Sequence, residues 1–100
     1  MDSAIRVNVE FLGPFEAEFE ATGKELTLPA SATVATLLEA LAATGPAGER
    51  LRRLLGDGGS PRRRYCYVSV DYAVLDPEAL LDTPLHDGAR VCFGAPMAGG

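Results

Sequence analysis

The segment 21–41, ATGKELTLPASATVATLLEAL, places a strand directly before an amphipathic helix. In its first half two leucines alternate with polar residues, which predicts a half-buried strand over Glu25–Leu28. Pro29 closes that strand, and Ser31 or Thr33 can cap the helix that follows. Four apolar residues then recur at helical spacing and form one stripe: Val34, Leu37, Leu38 and Leu41.

The residues before this segment supply a first strand and one ambiguous stretch. Within Ala4–Leu12, every second residue from Ile5 to Phe11 is apolar and the residues between them are polar, which predicts a half-buried strand, and Gly13-Pro14 ends it. Phe15–Ala21 also alternates, yet its two phenylalanines are spaced i, i+4, as in a helical turn. We interpret this stretch as an early arm of the second strand, offset by a bulge, or as an irregular turn.

The second half of the chain adds a weaker helix and further strands. From about Ala47 the leucines share one side of a helical pattern, which predicts a short second helix. Tyr65–Tyr72 alternates as a strand, and a short return strand through Ala73–Leu75 follows. Asp87-Gly88 is a strong turn signal before a last strand at Val91–Phe93.

The order of these elements predicts an α+β fold. Two strands before a helix exclude a purely alternating β-α chain, and we expect a mixed sheet of four to five strands with the main helix packed on one face. The first and last strands are both strongly apolar, which suits parallel neighbours at the centre of the sheet. One hundred residues suffice for one domain, which we place at 1–95, before a flexible tail at 96–100.

Composition and charge narrow the classes of partner. The formal net charge of −5 repels phosphate backbones, so we expect no nucleic-acid partner. Three arginines, Arg62 to Arg64, close the loop Gly56–Arg64; we interpret them as a solvated turn, with docking of an acidic partner as the alternative. With no basic-plus-apolar leader and no apolar stretch approaching about 20 residues, we expect a cytoplasmic protein with no membrane partner.

The cysteines and the single histidine suggest no metal site. Cys66 and Cys92 lie outside any CxxC pattern, and His86 is the only histidine available to join them. Each cysteine stands among strand-forming residues, so we expect both to be small buried hydrophobes. We expect His86, in a polar turn, to be exposed.

The tail carries the most chemical information. The last strand runs into APMAGG at 95–100, where Pro96 ends sheet pairing and Gly99 and Gly100 let a narrow channel of a partner close around the backbone. The five tail residues at 96–100 reach about 17 Å when extended. A carboxylate becomes a good acceptor after adenylation by ATP; a persulfide or thiol can then deliver sulfur and leave a thiocarboxylate. Chance and frayed ends also produce terminal glycines.

Four stretches carry a resemblance to a known family: IRVNVEFLGP at 5–14, the segment 21–41, TPLHDGARVCF at 83–93 and APMAGG at 95–100. The chain resembles the MoaD/ThiS family of ubiquitin-like sulfur carriers, and it looks closest to the small subunit of molybdopterin synthase. The resemblance implies a β-grasp fold. It also implies a carrier subunit that is not an enzyme on its own and binds no cofactor.

The resemblance further implies roles for particular residues. Gly100 would be the site of adenylation and thiocarboxylation, and Gly99 its unobstructed neighbour. An exposed apolar patch on the sheet that includes Phe93 would dock both partner enzymes. Three tail residues would be threaded into those enzymes: Pro96, Met97 and Ala98.

The implied partners are an E1-like adenylating enzyme of the MoeB/ThiF type that uses Mg-ATP, a cysteine desulfurase or sulfurtransferase, and a larger acceptor subunit of the MoaE type. The alternatives are a carrier for thiamine, cysteine, tRNA thiolation or a secondary metabolite, a protein modifier joined to lysines through Gly100, and a plain interaction domain. Two departures leave the pathway open: the long loop Gly56–Arg64, and Ser69–Tyr72, where many relatives have an Asn-Gly turn.

Overall fold

Strand β1 (Ala4–Phe11) lies inside the sheet, and every second residue of it is buried. It pairs antiparallel with β2 (Gly23–Pro29) and parallel with β5 (Arg90–Gly94). The expected parallel pairing of the first and last strands is therefore confirmed. This computed structural model describes residues 3–56, 66–76 and 78–94.

Two shorter strands complete the sheet. Strand β3 (Tyr67–Val70) runs antiparallel to β5, and β4 (Ala73–Val74) forms a hairpin with β3. The strand order is β2-β1-β5-β3-β4, so the sheet is mixed and its five strands agree with the predicted α+β fold.

The ambiguous stretch after β1 is a short helix, α1 (Pro14–Phe19), and the two interpretations of it as a strand arm or an irregular turn are wrong. Gly13 turns the chain at φ 62°, and Pro14 stands at the first helical position, where its missing N–H costs nothing. The ring of Phe19 stacks on that of Phe11 with centroids 4.0 Å apart. The i, i+4 spacing of the phenylalanines, rather than the alternation, thus indicates the correct structure, because a helix places both rings on the side that faces the core.

The main helix α2 (Val34–Ala42) is confirmed, with Thr33 as its N-cap. Its first amides donate to backbone carbonyls of a later loop: Val34 N to Thr83 O at 3.0 Å and Ala35 N to Leu81 O at 3.1 Å. These bonds satisfy helical donors that have no partner within the helix. They also fix α2 to the segment that leads into β5.

The predicted second helix is α3 (Pro46–Gly56), and it crosses α2 closely. Gly48 makes this possible, since a Cβ built there would lie 1.8 Å from the carbonyl oxygen of Leu41. Leu51 and Leu55 are buried, while the arginines of α3 pair with glutamates at the surface.

One hydrophobic core lies between the sheet and the helices. Its largest fully buried side chains come from both layers: Phe11, Phe93, Leu37, Leu38, Leu41, Leu55, Val7, Val9, Val34, Val68 and Val91. No helix within the described ranges is long and apolar enough to cross a membrane. Strand β5 ends at Gly94, and the division into a domain at 1–95 and a tail at 96–100 stays a prediction.

Candidate functional site

The tail residues that the sequence singles out lie outside the described residues, so their assignments stay predictions: Pro96, Met97, Ala98, Gly99 and Gly100. The structure does describe the end of β5, to which the tail is attached, and the surface around it. That surface is therefore the candidate site for partner binding.

Phe93 is fully buried, so its predicted place in an exposed docking patch is wrong. Its ring centroid lies 6.3 Å from that of Phe11 within the core. Successive residues of a strand point to opposite faces, so Phe93 faces the helices while Cys92 and Gly94 face the other side. The sequence does not show which of these residues points inward, because Val91, Cys92 and Phe93 are all apolar.

We call the side of the sheet that faces away from the helices the open face. Directly opposed residues on neighbouring strands lie on the same face, so the register identifies its members. One row crosses four strands: Glu10, Cys92, Ser69 and Val74. Asn8 and Arg90 form the next pair along β1 and β5.

Apolar side chains are exposed around this face. Val74 is 69% exposed and Tyr72, in the β3–β4 hairpin, is 74% exposed. Leu12, which continues the alternation of β1, is 41% exposed. The ring of Tyr67 lies against the backbone of Gly94, since a Cβ built on that glycine would lie 2.6 Å from the ring. Leu12 and Tyr67 thus border the end of β5, where a partner that holds the tail would also make contact, whereas Tyr72 lies at the start of that strand.

Arg90 joins the hairpin to the centre of the open face. Its guanidinium donates to the Tyr72 hydroxyl at 2.7 Å, lies 5.7 Å from the centre of that ring and pairs with Glu10 at 3.3 Å. Such exposed contacts stabilise a fold little, but they hold side chains in one orientation. The Cys92 thiol contacts Glu10 Oε2 at 3.4 Å, and burial raises the pKa of this thiol.

The β3–β4 hairpin turns through Asp71 and Tyr72, with φ values of 50° and 72°. Positive φ at both central residues is what a type I′ turn requires, and Asn-Gly is its usual sequence. The departure noted at Ser69–Tyr72 therefore keeps the geometry of such a turn with less favoured residues. The Asp71 carboxylate accepts from the backbone amide of Arg90 at 3.0 Å and contacts the His86 ring at 2.5 Å.

Both cysteines are buried and free, as predicted. Cys66 belongs to the core, and burial raises its pKa to about 12, so this side chain is a protonated thiol at neutral pH. No cluster of three or more His, Cys, Asp or Glu side chains suited to a metal ion occurs in the part of the chain that the structure describes.

The model of the ThiS family matches residues 9–100, nearly the whole chain. The chain belongs to the ThiS family. No curated protein matches this ThiS-family chain. Solved structures do match it and share its fold, which is the ubiquitin-like β-grasp.

Three solved structures illustrate that likeness. SAMP1 from Haloferax volcanii is 20% identical with a TM-score of 0.72, and the alignment covers 95% of this chain and 99% of that one. The putative molybdopterin converting factor, subunit 1, from Pyrococcus furiosus is 20% identical with a TM-score of 0.68, covering 93% and 99%. The small archaeal modifier protein 1 of Methanosarcina acetivorans is 16% identical with a TM-score of 0.68, covering 98% and 99%.

Sequence reasoning missed several residues of the open face in this ThiS-family chain: Tyr67, Tyr72 and Val74. Alternation along β3 does place Tyr67 on the face opposite Val68, so that signal was present. No local signal shows that Val74 stays uncovered, because its exposure follows from the position of β4 at the edge of the sheet. The contact between His86 and Asp71, 15 residues apart, is likewise tertiary.

Proposed function

We propose that this chain is a sulfur carrier whose C-terminal Gly100 is adenylated and converted to a thiocarboxylate, and that it acts as the small subunit of a molybdopterin-synthase-type complex. The observation that carries the proposal is the ThiS-family match, which extends through the diglycine at 99–100. The choice of pathway is supported by the sequence resemblance and by the fold shared with the putative molybdopterin converting factor subunit.

The proposed chemistry occurs on the partner enzymes, with the carrier as substrate. The Gly100 carboxylate attacks the α-phosphorus of Mg-ATP, and pyrophosphate leaves. A persulfide sulfur, supplied by a cysteine desulfurase or sulfurtransferase, then attacks the acyl carbon, and AMP leaves. A second thiol cleaves the resulting S–S bond, which yields the thiocarboxylate and a disulfide. None of these steps uses the core cysteine Cys66, whose thiol is buried and protonated.

The open face supplies the docking surface in this proposal. Exposed apolar side chains surrounded by polar groups are typical of protein-binding sites, and here Val74 and Tyr72 are the most exposed of them. Tyr67 and Gly94 pair at the end of β5. Tyr72 lies at the start of that strand, where Arg90 donates to its hydroxyl. An E1-like adenylating enzyme, and later a larger acceptor subunit of the MoaE type, would bind this surface while holding the tail.

Intact-mass spectrometry tests the carrier step. The purified chain, incubated with a ThiF-type adenylating enzyme, Mg-ATP and a persulfide donor, is expected to gain about 16 Da as one oxygen is replaced by sulfur. Deletion of Gly99 and Gly100 is expected to abolish the gain without changing the melting temperature, because we propose that the tail lies outside the core. A matched control, Ala98→Ser, keeps the tail length and should retain the gain.

Two outcomes contradict parts of this proposal. Absence of the mass gain from the wild-type chain, with the adenylating enzyme shown to be active on its own carrier, contradicts the carrier function. A thiocarboxylate that forms but survives addition of a MoaE-type subunit and the molybdopterin precursor contradicts only the choice of pathway.

A protein modifier is the second candidate, since the structures that share the fold include small archaeal modifier proteins. In that function the adenylated Gly100 forms an isopeptide bond with a lysine of another protein. Expression of an epitope-tagged chain would then produce conjugates of higher mass that disappear on deletion of Gly99 and Gly100. The mass gain described above, without such conjugates, favours the carrier.

A further inference from the structure

His86 lies in the turn before β5, and both of its ring nitrogens face oxygen atoms that can only accept hydrogen bonds. Nδ1 is 2.8 Å from the carbonyl oxygen of Asp87, and Nε2 is 2.5 Å from Oδ2 of Asp71. A neutral imidazole carries one N–H, so it can donate to only one of these oxygens. The imidazolium carries two and satisfies both. The geometry is therefore that of a protonated histidine.

The Asp71 carboxylate holds a turn that is unfavourable by itself. Asp71 and Tyr72 both adopt positive φ, which non-glycine residues rarely do. The turn is fixed by a pair of bonds to Arg90: the Asp71 amide donates to the Arg90 carbonyl at 2.8 Å, and Asp71 Oδ1 accepts from the Arg90 amide at 3.0 Å. Oδ2 of the same carboxylate contacts His86, so the histidine completes the set of contacts that orient this side chain.

This turn carries part of the apolar docking surface. Tyr72 occupies its second position, and Val74 follows two residues later in β4. Among the described residues, the short β4 pairs with β3 alone, and the amide of Leu75 donates to the Val68 carbonyl at 2.9 Å just beyond it. A loosened turn would therefore displace the two most exposed apolar side chains of the open face.

We propose that His86 is a positioning residue for partner binding: as an imidazolium it clamps the Asp71–Tyr72 turn and so holds Tyr72 and Val74 in the docking surface. The consequence is a proton-dependent affinity for the adenylating enzyme, which weakens as His86 loses its proton. This inference rests on the proposed function for its consequence, whereas the clamp itself is a property of the isolated chain.

The charges around His86 favour this protonation state. Asp71 faces its ring from the β3–β4 turn, and Asp87 offers its carbonyl while its carboxylate accepts from the Arg6 amide at 2.8 Å. From β5, the Arg90 guanidinium is directed to Tyr72 and to Glu10 of β1. The hydrogen bond to Asp71, followed by that to the Asp87 carbonyl, raises the pKa of His86. The hydrogen bond to His86, followed by that to the Arg90 amide, lowers the pKa of Asp71.

The raised pKa of His86 and the lowered pKa of Asp71 define the pH range in which the clamp is formed. Because the pKa of His86 is raised in the fold, its contribution is complete below the ordinary histidine value of about 6.5 and is lost as pH rises through the raised value. Because the pKa of Asp71 is lowered, its contribution is complete above the ordinary aspartate value of about 3.9 and is lost as pH falls through the lowered value. The clamp is therefore strongest between these two ordinary values.

Nuclear magnetic resonance on the isolated chain tests the clamp. We expect the His86 ring to titrate above the ordinary histidine pKa, and Asp71→Asn to bring the midpoint down. We also expect the exchange protection of the Leu75 amide, corrected for intrinsic exchange, to fall about two- to fivefold in His86→Phe at pH 5.5, as for an exposed ion pair. The two proteins should converge at pH 9. Arg50→Gln, which removes an exposed ion pair with Glu18 on the helix side, is the matched control and should behave as wild type.

Two results would overturn the proposal. One is a His86 midpoint at or below the ordinary value; the other is a Leu75 protection that His86→Phe lowers equally at both pH values, which indicates a merely structural residue. Failure of the sulfur-carrier function has a different signature, because wild type would then form no thiocarboxylate at any pH while the His86 titration stayed as expected.

Discussion

The two faces of the sheet differ in how completely their side chains are covered. On the helix-facing side Phe11, Phe93 and Val91 are at most 1% exposed. On the open face Cys92 and Ser69 are buried at the centre, whereas Val74 at the edge is 69% exposed. Cys92 and Phe93 are neighbours in one strand, yet one contacts Glu10 on the open face and the other lies in the core. Strand parity thus separates the residues of the core from those of the open face, to which the proposed function assigns partner binding.

Truncation of the helix-facing side is expected to have the largest effect on stability. Phe93→Ala should lower the free energy of unfolding by about 3–5 kcal/mol, because it removes a fully buried ring and leaves a cavity. Chemical denaturation measures this. Cys92→Ala, one residue away on the open face, is the control and should cost much less. Equal losses from the two variants would contradict the separation of the faces.

Gly48→Ala tests the close crossing of α2 and α3 behind the core. The added Cβ would lie 1.8 Å from the Leu41 carbonyl, and overpacking of this kind costs about 1–3 kcal/mol. The intrinsic helix preference of alanine, about 1 kcal/mol over glycine, offsets part of this cost. Gly56→Ala at the end of α3 is the matched control, because nothing lies within 4 Å of its Cβ position. If both variants melt alike, the helices do not cross as closely as described.

Val74→Asp should change stability least and partner binding most. The side chain is largely exposed, so the free energy of unfolding should stay within about 0.5 kcal/mol of wild type. A charge in an apolar contact should nevertheless slow thiocarboxylate formation by about tenfold or more in the mass assay. Thr27→Asp places the same charge on the open face at the opposite edge strand and is the control. Equal rates for Val74→Asp and wild type would contradict the assignment of the docking surface.

The sequence correctly predicted the helices and strands whose apolar residues fit only one kind of periodicity. The stripe of α2 and the alternation of β1 are both present in the structure, and the pairing of β1 with β5 followed from their apolar character. The stretch Phe15–Ala21 fits both the spacing of a strand and that of a helix, and it forms a helix in which the ring of Phe19 stacks on that of Phe11. Phe11 lies in a different element, so the pattern within the stretch could not predict this contact.

The residues of the candidate site were the least predictable part of the molecule. The family resemblance implied an exposed apolar patch on the sheet that includes Phe93, but Phe93 lies in the core, and the assignments of the tail residues remain predictions. In a run of three apolar residues the sequence cannot distinguish the inward from the outward position. The register with β1 and β3 shows that Phe93 points inward, because it places Phe93 opposite Phe11 and Val68 on the face that the helices cover.

By itself, the sequence determined a small α+β domain of the ThiS family, since hydrophobic periodicity and the residue patterns that carry the family resemblance are local properties of the chain. Only the tertiary structure decided which side of each strand stays open, and it alone brought His86 to Asp71 and Arg90 to Tyr72. The physical reason is that exposure and pairing depend on residues distant in sequence, whose positions are set by strand register and by the packing of helices on one face.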